Sequence, residues 1–135
     1  MLGEPIGIFD EFEIRRVQEI REDEVGGDAG DPLDSLGEAE TLFVIRERDE
    51  FTGSLWLTDD WAAYDFGKRS GATTLTTVDV VAVGIVQGIV TLDDGSMNLG
   101  LMGTKRRTLL FAPTSVASLQ RKVDHWADRE LDLAR

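Results

Sequence analysis

Apolar and polar residues alternate through most of the middle of the chain, and this pattern predicts a mainly β domain. The segment 41–48 alternates and is rich in β-branched residues, and 54–58 and 61–66 have the pattern of two strands joined at Asp59–Asp60. Asp94–Gly95 is the strongest hairpin signal, because a type I′ turn needs positive φ at both central residues. The remaining predicted strands are 73–78, 85–92, 96–101 and 108–112.

A helical period replaces this alternation at both ends of the chain. After Pro113, Thr114 or Ser115 is placed to cap a helix that extends to about Leu133. Its apolar residues recur at three- and four-residue spacing on one face: Val116, Leu119, Val123 and Trp126. Near the N-terminus, the apolar spacing favours a short amphipathic helix from about Asp10, although Phe12 and Ile14 also alternate with glutamates as in a strand.

Composition divides the chain into three regions. Residues 1–22 are predicted to form an N-terminal arm. Residues 23–37 are acidic and rich in glycine and contain almost nothing to bury, which predicts a flexible linker. Residues 38–135 are predicted to form one compact β domain that ends in the C-terminal helix. A chain of 135 residues is long enough to bury a core without a metal or a disulfide.

Two stretches carry a resemblance to a known family. The first is GSLWLTDDWAAYDFGKRSG at 53–71, and the second is LTTVDVVAV at 75–83. They resemble the strand–turn–strand segment and the following aspartate-containing bend of bacterial and archaeal pleckstrin-homology-like and GRAM-like domains. The resemblance implies an α+β, mainly β fold, an antiparallel split barrel capped by a C-terminal amphipathic helix. It also implies binding of peptides, protein surfaces or lipid headgroups rather than catalysis.

The charge of the chain is strongly negative: 26 Asp and Glu stand against 14 Lys and Arg, for a formal net charge of -12. Only Lys68, Lys105 and Lys122 are lysines. This composition is typical of proteins adapted to molar salt, where screening removes the repulsion between the carboxylates that hydrate the surface. It predicts a halophilic archaeal source. It also disfavours free nucleic acid or an anionic membrane surface as a partner.

Residues suited to catalysis or metal binding are sparse. The chain has no cysteine, and its one histidine, His125, lies on the predicted terminal helix without a neighbouring nucleophile and ordered base. The acidic pairs Asp59–Asp60 and Asp93–Asp94 lack the spacing of a calcium loop and fall where turns are predicted. The glycines of 84–103 form no phosphate-binding motif. We therefore expect a protein that is not an enzyme and that holds no metal or cofactor.

Three groups of residues are candidates for contacts with a partner. The apolar residues of the arm need to be buried against their own domain or a neighbouring chain, because a single short helix is marginal alone in water. Trp61 and Tyr64 are candidate interface aromatics. The basic cluster Lys105–Arg106–Arg107 suits an anion or an acidic partner, or is simply an exposed loop that balances nearby acids. The arm residues concerned are Phe9, Phe12, Ile14, Val17 and Ile20.

These features predict a non-catalytic, protein-binding adaptor in the cytoplasm of a halophilic archaeon. The alternative is a structural subunit of a large assembly, such as a tail, neck or capsid-associated component of a haloarchaeal virus, located in the virion. The arm favours this alternative, since a tethered apolar segment suits docking onto a neighbouring subunit. The longest apolar run, 80–86, is far shorter than the roughly 20 residues that span a bilayer. No transmembrane segment is expected.

Overall fold

The computed structural model describes residues 3–105 and 108–129. Within these residues the chain forms mostly α-helix. A π-helical turn, Arg21–Val25, continues the first helix, and a 3₁₀ turn, Asp49–Phe51, follows the second. The elements are α1 (Glu11–Ile20), α2 (Leu36–Glu47), β1 (Trp56–Leu57), α3 (Trp61–Arg69), β2 (Thr74–Leu75), α4 (Thr77–Val86), α5 (Leu92–Thr104) and α6 (Val116–Ala127).

The prediction of a mainly β, antiparallel split barrel is wrong, and with it the resemblance to pleckstrin-homology-like domains. In the described part of the chain, the strands are β1 and β2, which form a two-stranded parallel sheet. The Trp56 amide donates to the Thr73 carbonyl, and the Thr58 amide donates to the Leu75 carbonyl. The predicted strands 41–48 and 61–66 fall largely in α2 and α3.

Helix-capping residues account for part of the failed β prediction, because they begin helices where the pattern predicted turns and strands. Thr91 Oγ1 accepts a hydrogen bond from the Asp94 amide at 3.1 Å, so Asp94–Gly95 lies in the first turn of α5 and not in a hairpin. Thr76 and Asp79 form a capping box at the start of α4. The β-branched residues of α4 lose only tenths of a kcal/mol each in a helix, which tertiary packing overrides.

The described residues separate into two compact units. The first comprises 3–56 and 66–73, and the second comprises 57–65, 74–105 and 108–129. In the first unit α1 packs against α2. Asp10 caps α1 by accepting a hydrogen bond from the Phe12 amide at 2.7 Å. The buried side chains of this helix pair are Val17, Ile20, Ala39, Leu42 and Phe43.

Arg21 organises the acidic, glycine-rich segment of the first unit. Its side chain is only 1% exposed. One guanidinium nitrogen donates to the carbonyls of Asp28 and Asp31 at 2.8 and 3.1 Å, and Nε donates to Gln18 Oε1 at 2.7 Å. These bonds satisfy a buried cation with backbone oxygens, which gives the loop a fixed set of contacts. Whether 23–37 acts as a flexible linker between an arm and a domain stays a prediction.

In the second unit α4, α5 and α6 pack around one core of Val78, Leu99 and Leu119. Gly95 permits the close approach of α5 to α4, because a Cβ there would lie 2.9 Å from Ile85 Cδ1. The C-terminal helix predicted from the sequence is present as α6, with Ser115 as its cap. Residues 130–133, at the predicted end of this helix, lie outside the described residues.

Candidate functional site

Three aromatic side chains of the second unit form a partly exposed cluster, which we call the aromatic surface: Trp61, Tyr64 and Phe111. The rings of Trp61 and Tyr64 stack with centroids 6.2 Å apart. Phe111 meets both rings edge to face, at 6.1 Å from Trp61 and 5.3 Å from Tyr64. Trp61 is 58% exposed and Phe111 is 51% exposed. The three rings therefore pack against one another and leave a large apolar area exposed to solvent.

Local capping places the first two rings on one face of a helix. Asp60 Oδ1 accepts a hydrogen bond from the Ala63 amide at 2.8 Å, which begins α3 at Trp61. Residues three apart share a helix face, so Trp61 and Tyr64 are adjacent. The sequence singled out this pair as interface aromatics, but on a strand, and that part of the prediction is wrong.

Phe111 was not predicted as a site residue. Its φ is +56°, in the left-handed region that residues other than glycine seldom adopt. Lys122 Nζ lies 5.6 Å from the centre of its ring, at cation–π distance. A strained backbone thus presents a half-exposed ring against Trp61 and Tyr64. Nothing in the local sequence indicates this conformation, since glycine or asparagine is the usual occupant of such a position.

A buried carboxylate links α4 and α6 in the second unit. Asp79 is 2% exposed. Its Oδ2 accepts from the Thr76 amide at 2.9 Å, and its Oδ1 accepts from Lys122 Nζ at 2.9 Å and Trp126 Nε1 at 3.0 Å. Burial raises the pKa of the Asp79 carboxyl, but hydrogen bonds from Thr76, Lys122 and Trp126 together outweigh burial and lower the pKa below its ordinary value. The T-x-x-D pattern at 76–79 was the available sequence signal.

Of the two predicted acidic pairs, Asp59–Asp60 caps helices, whereas Asp93 and Asp94 lie in the first turn of α5, which Thr91 caps. Asp59 follows β1 and accepts hydrogen bonds from both the amide and the hydroxyl of Thr77, at the first turn of α4. Ligands of parallel sheets commonly bind beyond the carboxyl ends of the strands, which is where Asp59 and Asp60 lie. Both carboxylates already accept hydrogen bonds there. Over residues 3–105 and 108–129, no group of three or more His, Asp or Glu is placed to hold a metal.

The other predicted site residues are dispersed. Of the arm residues, Val17 and Ile20 are buried in the first unit, whereas Phe9 and Phe12 are 87% and 70% exposed and Ile14 is also exposed. Lys105 follows α5, and Arg106 and Arg107 lie outside the described residues. His125 is exposed on α6, and its ring lies perpendicular to that of Trp126, with centroids 5.3 Å apart. Of the predicted site residues that the structure describes, Trp61 and Tyr64 come together at the surface, and Val17 and Ile20 come together in the interior of the first unit.

Comparison of the chain with protein-family models, with curated proteins and with solved structures found no match. Within the residues that the structure covers, no helix combines the length and the hydropathy needed to span a membrane.

Proposed function

We propose that this protein is a non-catalytic adaptor that binds a protein partner through the aromatic surface of Trp61, Tyr64 and Phe111. The observation that carries the proposal is the exposure of two large rings in one contiguous cluster. Aromatic side chains dominate the binding energy of interfaces because they bury much area at low entropic cost. The left-handed backbone at Phe111 adds support, since strain of this kind persists mainly where it serves a function.

The composition supports a medium of concentrated salt, and we propose that the adaptor acts in the cytoplasm of a halophilic archaeon. At a formal net charge of -12, carboxylate repulsion is well screened only at high ionic strength. In that medium apolar contacts gain importance relative to ion pairs. An aromatic docking surface is therefore a suitable means of recognition there.

A second candidate is a subunit of a larger assembly, as in a virion. The exposed rings of Phe9 and Phe12 in the first unit favour it, because a neighbouring copy is one way to cover them. Particle size in molar KCl separates the two candidates. A monomer or dimer supports the adaptor, whereas rings or higher polymers support the assembly subunit.

The test compares Trp61→Ser with Ile89→Ser, since both residues are exposed apolar residues of the second unit and only the first lies in the aromatic surface. Each tagged variant is used to capture partners from an extract of the source organism in molar KCl, with quantitative mass spectrometry. A specific partner captured by the parent should be lost at least tenfold with Trp61→Ser and kept with Ile89→Ser.

Both variants should melt within a few degrees of the parent, which excludes unfolding as the cause of any loss. Equal capture by the parent and Trp61→Ser would show that the aromatic surface is not the contact, and the proposal would fail.

A further inference from the structure

An open apolar groove with a volume of about 500 Å³ lies within the first unit. Its floor is one face of α2, formed by positions 37, 40, 41 and 44, which recur at helical spacing. The N-terminal segment and the turn after α2 supply its walls. The six apolar side chains of the lining are Ile6, Ile8, Val44, Ile45, Phe51 and Leu55.

The helix beneath the groove has apolar residues on more than one face. Ala39, Leu42 and Phe43 are buried in the first unit, while Val44 and Ile45 face the groove and remain half-buried. A helix that is apolar on several sides is normally covered on all of them. The second face of α2 therefore has the character of a contact surface that is incompletely covered by its own chain.

The charge of the first unit indicates what kind of molecule the groove would bind. The described residues of the first unit carry 16 Asp and Glu and seven Lys and Arg, a formal excess of nine negative charges. Four of the arginines already contact carboxylates: Arg16, Arg21, Arg46 and Arg48. Glu40 lines the groove and makes no ion pair with another described residue. The groove thus combines six apolar side chains with one carboxylate, on a unit whose formal charge is strongly negative.

We propose that this groove binds a cationic amphipathic helix of a partner protein. The apolar face of such a helix would cover Val44 and Ile45, and its lysines or arginines would meet Glu40 and be attracted by the negative charge of the unit. Apolar grooves of this type recognise helices through anchors at i, i+3, i+4 and i+7. This surface is separate from the aromatic surface, so the inference goes beyond the proposed function and its test can fail independently.

The probe is a designed 18-residue peptide with leucines at i, i+3, i+4 and i+7 and lysines elsewhere, labelled for fluorescence anisotropy. One control peptide has the same composition in scrambled order, and a second has glutamate in place of lysine. Titrations use the full chain at the lowest KCl concentration that preserves its melting transition. The helical Leu–Lys peptide should bind at least tenfold more tightly than either control.

Variants locate the binding. Val44→Ser should weaken binding of the Leu–Lys peptide by about tenfold, because it removes apolar area from the floor. Glu40→Gln should weaken binding about 2- to 5-fold. Glu38→Gln is the matched control, since it removes the same charge from the same helix outside the groove lining, and it should change binding by less than twofold. Thermal melts exclude a loss of folding.

Three results would overturn the proposal. The first is equal binding of the helical and scrambled peptides, which would show non-specific attraction to an acidic protein. The second is equal binding by the parent and Val44→Ser. The third is concentration-dependent self-association that Val44→Ser abolishes and the peptide does not inhibit, which would assign the groove to a second copy of this chain. A failure of the aromatic surface to capture a partner would not change the interpretation of these three results.

Discussion

Asp79 is a buried carboxylate with four hydrogen-bonding contacts: two to Thr76 at the cap of α4, and one each to Lys122 and Trp126, which join α4 to α6. Asp79→Asn should lower the free energy of unfolding by about 2–4 kcal/mol, because it removes charge-assisted bonds and places an amide donor toward other donors. Asp93→Asn, an exposed change of the same charge, should cost less than about 0.5 kcal/mol. Chemical denaturation measures both. Equal midpoints for Asp79→Asn and the parent would show that this carboxylate does not stabilise the fold.

The contribution of the same carboxylate to the free energy of unfolding depends on pH in the acid range. The pKa of folded Asp79 lies below the ordinary value of 3.8, so its contribution to stability is complete above that pH and is lost as the pH falls through the folded pKa. The stability difference between the parent and Asp79→Asn should therefore be constant near neutrality and shrink below about pH 4. Denaturation series from pH 7 to pH 2 check this. A difference that instead shrinks near pH 6 would assign the pH dependence to another group.

Phe111 can be examined through its backbone as well as its ring. Phe111→Gly and Phe111→Ala both remove the ring, but only glycine relieves the cost of φ +56°, which is about 1–2 kcal/mol for an L residue. Glycine loses more entropy on folding than alanine, which offsets part of this gain. We therefore expect Phe111→Gly to be more stable than Phe111→Ala by about 1 kcal/mol. Denaturant midpoints decide the order. An alanine variant as stable as the glycine variant would mean that the backbone relaxes out of the left-handed region.

At the level of elements, the sequence indicates the ends of the chain better than its middle. The helix at 116–127 follows from a strong apolar stripe and a serine cap, and both are local signals. The middle was misread because α2 and α4 are apolar on several faces, which hides the helical period and leaves β-branched residues as the main cue. The T-x-x-D patterns at 76–79 and 91–94 were the local evidence against strands.

The aromatic surface is also only partly predictable from the sequence. The sequence indicates Trp61 and Tyr64 as candidate interface aromatics, although it places Asp60 in a turn between strands and not at the start of a helix. Phe111 is 47 residues beyond Tyr64 and reaches it only through the fold, so no spacing in the sequence links the two. The buried role of Asp79 likewise depends on Lys122 and Trp126 from α6. Contacts between distant segments are the part that local patterns do not contain.

The packing of α6 provides a test at this scale. Leu119 is fully buried in the core with Val78 and Leu99, so Leu119→Ala should cost about 2–5 kcal/mol. Val116 lies one turn earlier on the same stripe but is 44% exposed, and Val116→Ala should be close to neutral because alanine is the better helix former. Thermal and denaturant unfolding compare the two. Similar costs would mean that the stripe is buried evenly and that Val116 faces a neighbour.

For the whole molecule, the dominant property is the negative charge, and it is unevenly distributed. The described residues of the first unit carry nine more acidic than basic residues, and those of the second carry four more. Repulsion among these carboxylates opposes folding in dilute buffer, where the Debye length is about 30 Å at 0.01 M salt. It falls to about 3 Å at 1 M. We expect the thermal midpoint to rise with KCl over this range.

A rise alone would not establish screening, because concentrated salt also strengthens apolar burial. The matched variant carries Asp23→Asn, Glu38→Gln and Asp49→Asn, three acids of the first unit for which no ion pair is found among the described residues. If charge repulsion is the cause, this variant should have the higher midpoint in dilute buffer and a shallower rise with KCl than the parent. Parallel curves would attribute the rise to apolar burial, and a flat curve for the parent would contradict adaptation to concentrated salt.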